Sequence, residues 1–141
     1  MEGPVLVTAA VIMREGKLLI TQRLPDSRFE PNRWEFPGGK VDFGEHPESS
    51  MKRELLEEIG IQAEILSLYG IASHVYDQNG MIRHVVIMFY RCDIQKGEPS
   101  VIDCQDLKWV SREELHTCNF VEGDRKTVER ILSDDELWIR T

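Results

Sequence analysis

Cysteine is scarce in this chain, and so are long apolar runs and positive charge. The three cysteines, Cys92, Cys104 and Cys118, are odd in number and show no CxxC spacing, so neither a disulfide framework nor a zinc site is indicated. No apolar run is long enough to span a bilayer. The apolar stretch 5–13 follows Glu2 and breaks off at Arg14 and Glu15, without the basic leader and cleavage site of a signal peptide. A reducing cytoplasm, with no membrane partner, is the expected setting. Lysine and arginine number 17 against 25 aspartates and glutamates, a formal charge of −8. That balance argues against a nucleic-acid polymer as partner, which needs a clustered basic surface. Small anionic substrates remain open, because divalent cations can stand between two sets of negative charge. There is no internal repeat and no low-complexity linker.

What is present suits a soluble globular chain: 141 residues, 41% apolar and 30% charged. This length predicts one domain over 1–141. Residues 5–13 and 18–24 are aliphatic and β-branched and read as a hairpin joined by Arg14-Glu15-Gly16-Lys17. Residues 25–34, with two prolines, an asparagine and mixed charges, read as an exposed loop. A helix is predicted over 47–59, with Pro47 at its first position and Gly60 just past its end. Strands over 61–76 and 81–94 flank Asp77-Gln78-Asn79-Gly80, whose Asn-Gly pair favours a tight hairpin. A loop over 95–105, a strand over 107–110, a short helix opened by the capping-box spacing of Ser111 and Glu114, and a last helix over about 124–132 complete the chain. This order predicts an α/β fold, a mixed sheet with helices on its faces.

The central helix carries the chemistry. At about 100° per residue, Met51, Leu55 and Ile59 form one apolar stripe while Glu54, Glu57 and Glu58 gather on another face. Carboxylates at that spacing repel unless solvent or cations neutralise them. Hard oxygen ligands of this kind suit Mg²⁺ or Mn²⁺. Taken alone, the helix also reads as an amphipathic helix with a solvated acidic face.

The residues before it decide between the two readings. Gly39, Glu45, Arg53, Glu54, Leu55, Glu57, Glu58, Gly60 and Ile61 match G-x5-E-x7-R-E-U-x-E-E-x-G-U, the Nudix box, without a departure. With ordinary residue frequencies such a match arises by chance in a chain this long with a probability on the order of 10⁻⁸ to 10⁻⁷. Trp34-Glu35-Phe36-Pro37-Gly38-Gly39-Lys40 is similar to the corresponding stretch of MutT-like enzymes, which places Glu35 and Phe36 beside a substrate. The resemblance implies an α/β/α sandwich and metal-dependent hydrolysis, by water attack at phosphorus, of a nucleoside diphosphate linked to a further group. Glu57 and Glu58 would bind the metal, joined by the Gly39 carbonyl, since glycine lets backbone approach a ligand closely. Glu54 would bind a second metal or accept the proton of the attacking water. Arg53 is expected to pair with Glu57 at i,i+4 or with Glu45, orienting carboxylates that otherwise repel.

Outside the box the resemblance implies a further acidic ligand six residues before Trp109, at Asp103, with Asp106 close enough to compete. Arg23 and Lys40 flank the inferred site and are candidates for phosphate contacts. Asp124 falls where MutT-like enzymes contact the base; its carboxylate suits an exocyclic amino group such as cytosine N4, or it simply caps the last helix. Tyr76, His74 and His84 read as strand residues that border the site at most. The expected substrate is a (deoxy)nucleoside triphosphate, dCTP/CTP-like or an oxidised purine. The alternatives are ADP-ribose or a dinucleoside polyphosphate, and, in a different class, a module that senses nucleotides without cutting them. The protein is expected to be a monomer or homodimer.

Overall fold

The computed structural model describes residues 3–139. Val5–Val11 forms β1, Met13–Arg14 β2 and Lys17–Gln22 β3. Alternation along them is apolar on both faces: Ala9, Val11, Leu18 and Ile20 enter one core, and Ala10, Ile12 and Leu19 enter another. Strands with that pattern must be covered on both sides. The chain then runs through β4 (Trp34–Glu35) and β5 (Gly38–Lys40) to helix α1 (Pro47–Ile59). The long hairpin β6 (Gln62–Gln78) and β7 (Met81–Lys96), strand β8 (Asp106–Val110) and helices α2 (Arg112–Leu115), α3 (Arg125–Leu132) and α4 (Asp135–Ile139) follow.

One sheet has the order β5-β1-β7-β6 and is mixed, because β1 runs parallel to β7 and the other neighbours are antiparallel. In the second, β3 pairs antiparallel with β2, β4 and β8. Helix α1 covers one face of the mixed sheet through Met51, Leu55 and Ile59. The opposite face, with Val85, Ile87 and Phe89, packs against the second sheet and against Leu115, Val128, Ile131 and Leu137 from α2, α3 and α4.

Helix α1 has the predicted limits. The His46 side chain accepts from the Glu48 N–H at 3.1 Å at one end. At the other, Gly60 adopts φ 75° and donates to the Leu56 carbonyl at 3.0 Å, while the Ile61 N–H reaches the Leu55 carbonyl at 3.4 Å. The Asn79-Gly80 turn, with φ of 54° and 77°, closes β6 on β7 as expected.

Three expectations need correction. The N-terminal hairpin is only two residue pairs long, Met13↔Leu18 and Arg14↔Lys17. At Ile12 the chain leaves one sheet for the other, because β1 satisfies its backbone on β5 and β7 instead. The loop 25–34 is not simply exposed: Phe29 is buried and Trp34 belongs to β4. The last helix is followed by a further one, α4, anchored by the buried Leu137 and by the Trp138 Nε1–H donating to the Ile131 carbonyl at 2.9 Å.

Leu55 is fully buried between α1 and the mixed sheet. The Leu55→Ala protein should be less stable by about 2–5 kcal/mol. A lowered urea midpoint with an unchanged slope checks this.

Candidate active site

Arg53 organises the carboxylates. Its Nε and one terminal nitrogen donate to the two oxygens of Glu45 at 2.8 and 2.9 Å. The other terminal nitrogen is shared between Glu54 at 2.9 Å and Glu57 at 3.1 Å. A further bond reaches the Lys40 carbonyl at 3.1 Å, and Asp42 lies 3.5 Å away. Only a guanidinium offers five donors in a fixed fork, so one side chain ties α1 to β5 and to the loop carrying Glu45. The Arg53 bonds hold the Glu45 carboxyl down at about 2.

The glycine pair lets β5 come close to β1 on one side and to α1 on the other. A Cβ on Gly38 would overlap the Thr8 backbone of β1, and a Cβ on Gly39 would overlap the Glu54 carboxyl. Glu54 therefore lies directly against β5. Glu58, almost fully buried, accepts from the Gly38 N–H at 3.4 Å. Burial pushes the Glu58 carboxyl well above its ordinary value, with the Glu35 charge adding to the effect, and burial also raises Glu54. Beside Glu58, the fully buried Thr21 hydroxyl faces the carboxylate, without a hydrogen bond of good geometry. Desolvated carboxylates and a buried hydroxyl form a hard-oxygen set that a divalent cation fits. Among the described residues no three His, Cys, Asp or Glu side chains converge into a complete ligand group. Mg²⁺ does not need one, since it binds through one or two carboxylates and fills its shell with water and substrate phosphates.

A cleft of about 230 Å³ opens from this point. It is lined by Gly38, Gly39 and Lys40, by the apolar Val85 and Ile87, and by Arg23, Phe29, Glu35, Tyr76 and Asp124, whereas Glu54, Glu57 and Glu58 do not line it. Asp124 is buried and its carboxyl accepts from the Phe36 N–H at 3.1 Å. It stands at the start of α3 but makes no side-chain cap there, so the capping alternative does not describe it. Burial pushes its carboxyl well above the ordinary range, reinforced by the charge of Glu35. Arg23 donates to Glu35 at 3.2 Å and to the Phe29 carbonyl at 3.0 Å, and Lys40 is exposed at the mouth.

Gly39, Arg53, Glu54, Glu57 and Glu58 therefore meet around β5 and α1, and Arg23, Glu35, Phe36 and Asp124 meet around the cleft. Phe36 contributes its backbone, while its ring packs on Phe89 and Phe120 in the core. Asp103 is exposed, and it is its N–H that reaches this region, donating to the Glu58 carbonyl at 3.1 Å. Asp106 turns its carboxylate to the neighbouring Leu107 N–H at 2.8 Å. His84 is exposed on β7, and His74 stacks edge-on against Tyr76 outside the cleft. Sequence reasoning missed Phe29, Glu30 and Arg83 as wall residues. A lone aromatic inside a polar loop was the one available signal for Phe29.

This architecture, a carboxylate-bearing helix seated against a glycine pair beside a cleft, defines a class, and the comparisons agree. The NUDIX domain model matches residues 4–131. The chain is 36% identical over 141 residues to an 8-oxo-dGTP diphosphatase of Haemophilus influenzae, covering 99% of this chain and all of that one. It is 37% identical over 127 residues to a CTP pyrophosphohydrolase of Escherichia coli, covering 90% of each. The crystal structure of a MutT NUDIX hydrolase from Burkholderia pseudomallei superposes with a TM-score of 0.79 at 29% identity, covering 92% of this chain and 99% of the other. The chain belongs to the Nudix family. It is a MutT-like hydrolase with the α/β/α fold of that family, and among its described residues no helix is long and apolar enough to cross a membrane.

Arg53→Lys keeps the charge and loses the fork. Hydrolysis should fall about 10–100-fold while far-ultraviolet circular dichroism stays unchanged. A carboxyl whose value is raised on folding stabilises the protein below its unfolded value and loses that contribution as pH rises through the folded value. Asp124→Asn, which keeps the oxygen facing Phe36, should therefore melt higher at neutral pH, by roughly 4 °C per kcal/mol relieved. The increment should shrink as the buffer is taken down towards pH 4, where Asp124 itself is neutral.

Proposed function

We propose that the protein hydrolyses nucleoside triphosphates to the monophosphate and pyrophosphate, with Mg²⁺ or Mn²⁺ held by Glu57, Glu58 and the Gly39 carbonyl. The observation that carries this reading is that one cleft is lined both by the Gly38-Gly39 backbone, against which Glu54 and Glu58 lie, and by the apolar Val85 and Ile87 with the buried carboxyl of Asp124. Such a cleft takes phosphates at the first lining and a base at the second.

A bound divalent cation would supply charge neutralisation on the phosphates and a more acidic water. The chain's own residues do the rest. Glu54, desolvated against Gly39, is placed to take the proton of the attacking water as its oxygen bonds to phosphorus, the phosphoanhydride bond breaks and the leaving phosphate carries away the electron pair. Arg53 keeps Glu54 and Glu57 from repelling each other. Arg23 and Lys40 lie where they can meet phosphate oxygens.

Asp124 supports a choice of base. A neutral buried carboxyl donates through one oxygen and accepts at the other, which matches the N3 acceptor and N4 amino donor of cytosine. The same pair also meets the adjacent N–H and C=O of an oxidised purine. Both the CTP and the 8-oxo-dGTP specificities of the relatives are compatible with this edge.

The test is release of phosphate and pyrophosphate from the (d)NTPs, 8-oxo-dGTP, ADP-ribose and diadenosine tetraphosphate, with and without chelator. One triphosphate should be cut to pyrophosphate only with metal present, and Glu57→Gln should lower its turnover about 10²-fold or more. Turnover of ADP-ribose alone would refute the triphosphate reading, and nucleotide binding with no cleavage at all would refute catalysis.

A further inference from the structure

The 3-10 turn Glu122–Asp124 that delivers Asp124 into the cleft is joined to α3 through the Arg125 N–H donating to the Glu122 carbonyl, and it is also held from outside. Its first two N–H groups are satisfied from elsewhere in the chain. The Glu122 N–H donates to both carboxylate oxygens of Glu30, at 3.1 and 3.2 Å, from the loop between β3 and β4. The Gly123 N–H donates to the Tyr76 hydroxyl at 3.2 Å, from the end of β6. Tyr76 in turn faces Glu30 through its hydroxyl and packs its ring on Phe29 at 5.5 Å. Glu30 is braced by Arg33 at 2.6 Å and is largely buried, its side chain only 11% exposed. Gly123 is tightly enclosed: a Cβ there would come within 3.1 Å of both the Tyr76 hydroxyl and the Ile87 side chain, which would have to give way by a few tenths of an ångström.

A second, independent observation concerns the backbone. Glu30 has φ 49° and Asn32 φ 65°, the left-handed region that non-glycine residues rarely adopt. Such a conformation is strained and persists only where surrounding contacts over-determine it. Here it aims the Glu30 carboxylate at the turn instead of at solvent, ninety-two positions away in sequence.

We infer that Glu30 and Tyr76 act as a two-point clamp that sets the height and angle of Asp124, and so are positioning residues for base selection. This rests on the reading of Asp124 as the base contact. The clamp joins the β3–β4 loop and the end of β6 to the turn that carries Asp124, and none of its hydrogen bonds involves a residue of α1, so it acts on which base is accepted and not on how phosphate is cut. A net hydrogen bond is worth about 1 kcal/mol, so loss of one clamp point should reduce the ratio of kcat/KM for the preferred over the next-best nucleotide about 5-fold, and loss of both about 10-fold or more.

The variants are Glu30→Ala, Glu30→Gln, which keeps one acceptor oxygen, and Tyr76→Phe, which removes only the hydroxyl; Asp124→Asn is the reference. Discrimination between nucleotides should fall most in Glu30→Ala, less in Glu30→Gln and measurably in Tyr76→Phe, with the change mainly in KM. If Asp124→Asn alters base preference and the clamp variants only melt earlier with preference intact, the clamp is a stability device and the proposal is overturned while the base contact stands. If Asp124→Asn leaves preference unchanged, the base contact itself is wrong and the clamp falls with it. Tyr76→Phe keeps the test open should Glu30→Ala fail to fold.

Discussion

Everything at the active site depends on one guanidinium. Without Arg53, five acidic side chains, Asp42, Glu45, Glu54, Glu57 and Glu58, would crowd one end of α1 and its preceding loop with no cation among them. The fork converts that repulsion into geometry: Glu45 fixes the approach to the helix, the Lys40 carbonyl fixes β5, and Glu54 and Glu57 share a single nitrogen. A lysine at the same place supplies charge but cannot hold four partners at set angles. The close seat of helix on strand also needs the glycine pair, so the clamp and the missing side chains at Gly38 and Gly39 are two halves of one solution.

The site divides its labour between two electrostatic neighbourhoods. Around α1, Arg53 holds the Glu45 carboxyl down and orders Glu54 and Glu57, while burial drives Glu54 and Glu58 upward. In the cleft, Asp124 is buried and Glu35 half-buried against Arg23, and burial drives both carboxyls upward. One guanidinium is shared among several carboxylates in the first, and a single ion pair stands in the second, so like residues meet unlike surroundings.

How much of this was readable in the sequence follows the range of the interactions. Helix α1 is written locally, by Pro47, the Met51-Leu55-Ile59 stripe and Gly60. The hairpin turn at Asn79-Gly80 and the capping box of Ser111 and Glu114, present with bonds of 3.2 and 3.3 Å, are equally local. The box glutamates could be found because their spacing is fixed by one helix. What stayed hidden is long-range. An aliphatic run at β1 declares a strand but not its partners, and a parallel neighbour some eighty residues away leaves no mark on it. Local sequence lets Asp124 be a helix cap, and only the distant Phe36 N–H, which its carboxyl accepts instead, removes that reading. Glu30 and Phe29 sat unnoticed in a polar loop because their partners, Glu122 and Tyr76, lie far along the chain.

The crossing at Ile12 has a bearing on how the molecule is made. The first strand of the mixed sheet waits for β7, with Val5 beside Val85, and the central strand of the other sheet waits for β8, with Leu18 beside Val110. The mixed sheet is not complete until β7 has been made, nor the other until β8, although the segment that joins them precedes both. Pairings of such long sequence separation are slow to form. The apolar β1–β3 segment thus waits for its distant neighbours, a period of exposure that chaperones would have to cover, while helix α1, closed by local bonds alone, can already be wound.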